Sequence, residues 1–105
     1  MNSKLLSMLG LAKRAGAIII GTDLVTKTLP SGRVKLVMYA EDASANTEKK
    51  ITDKCRFYNT SCIKTGFSGD ELAHATGKLS SVMVIGITDE NFSKGLISLT
   101  SNETR

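Results

Sequence analysis

The chain has 105 residues, 41% of them hydrophobic and 23% charged, with one proline, two cysteines and no tryptophan. That balance excludes wholesale disorder, and the length suits one domain, residues 1–105, able to bury a core without disulfide or metal staples. Fourteen Lys and Arg against ten Asp and Glu give a formal net charge of +4, a modest excess that leans toward an anionic polymer as partner.

Ser3 is placed to cap a first helix in which Leu5, Met8, Leu9 and Ala12 recur at helical spacing, with Gly16 as the stop. Residues 17–20 read as a short buried strand ended by Gly21. Thr22 or Asp23 is expected to cap a second helix through Leu24, Val25 and Thr28 to about Leu29, broken by Pro30-Ser31-Gly32. Residues 34–40 form an apolar run interrupted only by Lys35, the pattern of a strand buried on both faces. Asp42 and Ser44 precede a third helix, Ala45–Phe57, with Ile51 and Cys55 facing inward. Residues 62–65 are a third strand. Ser68 with Glu71 three positions on predicts a capping box for a short fourth helix closed by Gly77. Residues 81–87 are the fourth strand. Thr88, with Asp89 and Glu90 at the positive end of the dipole, opens a fifth helix through Phe92, Leu96 and Leu99. A polar tail from about residue 100 is expected to fray. Helix and strand alternate throughout, which predicts a three-layer α/β/α sandwich around a four-stranded sheet.

No apolar run approaches the ~20 residues of a membrane helix. The N-terminus has one lysine but neither an extended apolar stretch nor a cleavage site, so a cytoplasmic location, away from membranes, is expected. Cys55 and Cys62 match neither a C-x-x-C pair nor a zinc framework, and are expected to be thiols in or near the core. The aromatics Tyr39, Phe57, Tyr58, Phe67 and Phe92 show no repeated alternation with basic residues, which disfavours a single-strand stacking platform.

Catalytic constellations are missing. His74, the one histidine, lacks a nucleophile at a supporting spacing. Gly77-Lys78 would need glycine at Leu72 and Ser or Thr at Leu79 to make a phosphate loop. Gly10, Gly16 and Gly21 do not follow a strand in the dinucleotide-binding pattern. Glu41-Asp42, at a strand end, has the composition of a metal or acid/base pair, but Asp42 is expected to begin the cap of the third helix. No enzymatic activity, cofactor or metal is expected.

The segment from Gly21 to Lys27 carries the most functional information. Glycine after a short strand permits close backbone approach. The helix that follows would present free N–H groups to a phosphate. Lys27 lies one turn beyond Asp23 on the same face.

The run Leu9-Gly10-Leu11-Ala12-Lys13-Arg14-Ala15-Gly16 is followed by Gly21 with Lys27, Lys35-Leu36-Val37, Ala40-Glu41-Asp42-Ala43-Ser44, Lys54-Cys55 and the spacing from Leu72 to Gly77. In this order the chain resembles the bacterial branch of the kink-turn-binding ribosomal proteins, the L-seven-Ae and L-thirty-e type, over about residues 3–99. The resemblance implies an α/β/α sandwich with a mixed four-stranded sheet. It also implies binding of structured RNA, ribosomal or otherwise kink-turn-like, with association with the ribosome as one setting.

In such proteins the start of the second helix enters a kinked, widened major groove carrying sheared G·A pairs; a regular A-form groove is too narrow to read. Gly21 and Lys27 match the motif, with Lys27 as the base and phosphate contact, and Thr22 stands where a small residue is usual. Asp23-Leu24 replaces the usual Asn-Glu, losing an amide donor and a carboxylate acceptor. Each lost base contact is worth about 1–3 kcal/mol by analogy with bidentate readout of DNA. A second contact region is implied around Asp42 and Ser44 and around Lys78 and Leu79, where Leu79 would pack on an extruded base.

Lys13-Arg14 suits the C-terminal end of the first helix. Lys49, Lys50, Lys54 and Arg56, diluted by Glu48 and Asp53, read as a solvated face and as a secondary patch for a long RNA. The alternative reading, raised by Asp23 and Leu24, is a protein-interaction module of the same fold without specific RNA recognition.

Overall fold

In the computed structural model the described residues are 3–103, with side chains described for residues 4–100. Five helices, α1 (Ser3–Arg14), α2 (Thr22–Thr28), α3 (Ala45–Phe57), α4 (Gly69–Thr76) and α5 (Glu90–Glu103), alternate with β1 (Ile18–Ile20), β2 (Leu36–Tyr39), β3 (Ser61–Lys64) and β4 (Val84–Ile87). The sheet order is β1-β4-β2-β3. Strand β4 is antiparallel to both neighbours, and β2 and β3 are parallel, so the sheet is mixed.

Both central strands are wholly apolar, and, whereas the equally apolar edge strand β1 is only half-buried, every residue of β2 and β4 is buried. Their alternating side chains divide the core into two layers. Leu36, Met38, Ile85 and Ile87 meet Leu5, Leu9, Leu72 and Leu96 on the side of α1, α4 and α5. Val37, Tyr39 and Val84 meet Val25, Leu29, Ile51 and Cys55 on the side of α2 and α3. The molecule is a three-layer α/β/α sandwich. Gly86 in β4 sets the height of α2 over the sheet: a Cβ there would lie 2.9 Å from Ile19 Cγ1 and 3.3 Å from Val25 Cγ2.

Three helices end in the same way. After α1, α3 and α4 a residue of positive φ (Gly16, Asn59 and Gly77) turns the chain. In each case the next N–H bonds back to a carbonyl inside the helix: Ala17 to Ala12, Thr60 to Cys55 and Lys78 to Ala73, all at 2.8 Å. This is the left-handed stop that satisfies orphan carbonyls. Gly16 and Gly77 were expected as stops; Asn59 was not.

Several boundaries differ from expectation. The two central strands are shorter than residues 34–40 and 81–87, because pairing stops where the shared register stops, from Leu36↔Ile87 to Tyr39↔Val84. Beyond it Lys35 and Ala40 each donate one flanking bond, to Ile87 O and Met83 O. β1 omits Ala17, and β3 shifts one residue to begin at Ser61 and end at Lys64. Leu29 belongs to a 3-10 turn, Leu29–Ser31, rather than to α2. Residues 100–103, expected to fray, continue α5. Ile97 and Leu99 still pack on the core there, and the Thr100 hydroxyl donates to Ile97 O at 2.8 Å. The expected Ser3 cap and residues 104–105 of the tail lie outside the described side chains and residues.

Candidate nucleic-acid interface

The strand directions bring the C-terminal ends of β1, β2 and β3 and the start of β4 to one edge of the sheet. Hydrogen bonds stitch the loops there together. Gly21 N–H donates to Val84 O, Ala40 N–H to Met83 O, Glu41 N–H to Phe67 O and Val82 N–H to Gly69 O, each at 2.9 Å. The buried Thr65 hydroxyl donates to Tyr39 O at 3.0 Å and accepts from Phe67 N–H at 3.3 Å. The start of α2 is thereby held beside the β2–α3 loop and the run into β4.

Gly21, with φ 111° and ψ 142°, is the N-cap of α2, and no side chain caps the helix. That backbone region is essentially closed to residues with a Cβ. The expectation that Thr22 or Asp23 caps α2 is therefore corrected: both lie inside the helix. The cap position demands a conformation that only glycine adopts comfortably, so the side-chain oxygens fall one and two residues too late. Thr26 and Thr28 turn their hydroxyls onto their own helix, toward Thr22 O at 3.0 Å and Leu24 O at 2.7 Å. Asp23, Leu24 and Lys27 are left exposed, and Lys27 forms no ion pair among the described residues.

Asp42 and Ser44 have structural tasks. Ser44 is the N-cap of α3, its Oγ accepting from Thr47 N–H at 3.1 Å. Asp42 does not cap α3 as expected. Its Oδ1 accepts from Gly69 N–H at 2.9 Å, because the β2–α3 loop lies against the start of α4. The capping box at Ser68 and Glu71 is formed there as expected, with bonds of 3.1 and 2.9 Å. Lys78 and Leu79 are exposed on the return from α4 to β4, Leu79 completely so. Among the described residues no hydrogen bond or ion pair joins them to α2. Their link to it runs through Ser81, which donates to Asp70, and on through Val82 to Val84.

The structure adds Lys50 to the neighbourhood of α2. Its Nζ lies 3.6 Å from Asp23 Oδ1, so an α3 cation sits beside the acid that departs from the motif. Further along α3, Asp53 pairs with Lys49 at 2.9 Å and with Arg56 at 3.3 Å. The hydrogen bond from Lys49 holds its carboxyl below the usual range. A groove of about 550 Å³ runs beside this face, lined by Lys50, Asp53, Lys54, Phe57 and Tyr58. The i, i+4, i+7 spacing of Lys50, Lys54 and Phe57 is legible in the sequence; the adjacency of Lys50 to α2 is not.

Behind this face Tyr39 donates to Glu48 Oε2 at 2.9 Å, and Lys64 lies 3.9 Å from the same carboxylate oxygen. Burial, reinforced by that hydrogen bond, pushes the Tyr39 hydroxyl up to about 12. Cys55 is buried and Cys62 half-buried, as expected; their mutual hydrogen bond and burial push the Cys62 thiol up. His74 is exposed in a separate cleft with Lys13 and Arg14, where α1 and α4 end.

The family model described as the ribosomal protein L7Ae/L30e/S12e/Gadd45 family matches residues 3–97. The chain is 46% identical to the RNA-binding protein YlxQ of Bacillus subtilis, covering 88% of this chain and 90% of the relative. It is 35% identical to the large ribosomal subunit protein eL30 of Sulfolobus acidocaldarius, over 77% and 78% of the two chains. A Bacillus halodurans protein of unknown function superposes with a TM-score of 0.88 at 39% identity, covering 93% of this chain and 97% of that one. The Giardia lamblia 15.5kD RNA binding protein shares the fold, with a TM-score of 0.78 at 18% identity over 97% and 89% of the chains. The chain belongs to the ribosomal protein L7Ae/L30e/S12e/Gadd45 family.

Proposed function

We propose that the protein binds a structured RNA of the kink-turn kind through the start of α2, acting in the cytoplasm on ribosomal or other structured RNA. The observation that carries this is the exposed face of α2: Gly21 holds it at the sheet edge without a side-chain cap, and Lys27 is free of ion pairs there among the described residues. The names of the B. subtilis and S. acidocaldarius relatives, an RNA-binding protein and a ribosomal protein, support it. Lys27 meets a phosphate or a guanine edge, and Thr22 and Gly21 allow the backbone close. Binding selects the kinked conformer over the straight one, a population shift without chemistry.

Asp42 and Ser44 act indirectly in this account, fixing the loop beside α2. Lys78 adds phosphate attraction and Leu79 an apolar surface for an unstacked base. Asp23 and Leu24 replace two base contacts, so the preferred RNA differs from a standard kink-turn. The same exposed Leu24 supports the second reading, a protein-interaction surface.

Lys27→Ala tests the assignment. Affinity for a kink-turn RNA should fall about tenfold, the size of one lost base contact, while the melting temperature stays within a degree or so, because the side chain is exposed. An unchanged affinity removes Lys27 from the interface.

A further inference from the structure

We propose that the groove along α3 holds a single-stranded segment of the bound RNA, one base resting on Phe57 and the flanking phosphates on Lys50 and Lys54. The inference rests on the RNA-binding reading and extends its footprint. Phe57 is 79% exposed, so most of its ring is open to a ligand. Its ring meets that of the half-buried Tyr58 nearly at a right angle, with centroids 4.8 Å apart and planes at 85°, which anchors the ring beside the groove.

Charge selects the occupant. On α3 four cations, Lys49, Lys50, Lys54 and Arg56, stand against two acids. Both acids are engaged: Glu48 with Tyr39 and Lys64, Asp53 with Lys49 and Arg56. Lys54 has no ion pair among the described residues, and Lys50 has only the exposed Asp23. The groove therefore offers an exposed aromatic ring one turn beyond Lys54 and two beyond Lys50 on the same helix, an arrangement on which an unpaired nucleotide stacks with little regard to sequence. One ring supplies one stacking position, consistent with the absence of a repeated platform. Lys50 adjoins α2, and Phe57 lies about 10 Å further along the helix axis at 1.5 Å per residue, so a strand leaving the α2 site can continue into the groove.

The experiment uses a kink-turn RNA with and without a single-stranded flank, and a short oligoadenylate carrying 2-aminopurine. The flank should tighten binding by about tenfold, the effect of one stacked base. Phe57→Ala and Phe57→Leu should abolish that increment and the fluorescence quench of the oligoadenylate, without weakening binding of the unflanked RNA. Phe57→Tyr should restore both, and Lys27→Ala should weaken the two kink-turn RNAs equally. If the unflanked RNA binds but the flank adds nothing, the groove proposal fails while the α2 reading stands. If no kink-turn binds but Phe57-dependent quenching persists, the groove stands and the α2 reading fails. Absence of both signals overturns the groove, and an apolar protein contact then accounts better for Phe57.

Discussion

Gly21 joins β1 to α2 in a backbone conformation of φ 111° and ψ 142°, bonded through its N–H to Val84. No neighbouring atom would touch an added Cβ, so the cost of Gly21→Ala is conformational and not steric crowding. That cost is about 1–3 kcal/mol for a strained backbone position. The melting temperature should drop by several degrees, and RNA affinity should fall with it as the start of α2 shifts. A variant as stable as the parent would show that the turn relaxes without strain.

Tyr39 offers a test by titration. Its folded-state pKa is raised to about 12 from the ordinary 10.0, so the native state keeps a proton that the unfolded chain releases. The corresponding stabilisation is fully present below pH 10 and is lost as pH rises from about 10 to 12. Wild type should therefore lose more stability over that window than Tyr39→Phe in parallel denaturant titrations. Equal losses would place the Tyr39 hydroxyl in an unperturbed setting.

At the scale of elements, most of the architecture was legible because the local signals are local physics. The apolar runs of β2 and β4, the Ser68–Glu71 box and the glycines after α1 and α4 each act within a few residues of themselves. What was not legible depends on distant partners. Strand lengths are set by the register with a neighbour, and Asp42 was read as a cap for α3 because its acceptor duty lies 27 positions away at Gly69. The uncapped start of α2 was missed for a different reason: the residue types Thr22 and Asp23 suit a cap, but the strand exit places Gly21 in that position. Asn59 tolerates the left-handed region yet looks like any polar residue in a loop.

For α2 itself, Asp23→Asn with Leu24→Glu introduces, at exposed positions, the Asn-Glu pair that the family resemblance implies. The double variant should bind a standard kink-turn about tenfold or more tightly than wild type, with little change in stability. Electrophoretic mobility shift or fluorescence anisotropy would read it. No gain would mean that Asp23 and Leu24 suit a different native RNA or do not touch RNA.

At the scale of the whole molecule, the mixed order β1-β4-β2-β3 is what gathers α2, the β2–α3 loop and the run into β4 at one edge. Alternation of helix and strand announced the sandwich but not this order, which follows from two antiparallel pairings and one parallel one. Family resemblance, not periodicity, pointed to the mixed sheet. The same order sets α2 and α3 side by side on one face of the sheet, so the basic face of α3 continues from the start of α2 through Lys50. The excess of cations is small for the whole chain, but here it is concentrated where the exposed apolar groups Leu24 and Phe57 also lie. Charge alone would attract any nucleic acid, and such binding decays steeply with salt. Recognition of a kinked shape adds contacts that salt does not screen.

The most direct measurement is therefore binding of the purified protein to a kink-turn RNA and to a plain duplex of equal length, at low and at physiological salt. A preference for the kink-turn that survives physiological salt is the predicted result. Equal binding to both RNAs that disappears with salt would contradict shape recognition and leave only a basic surface.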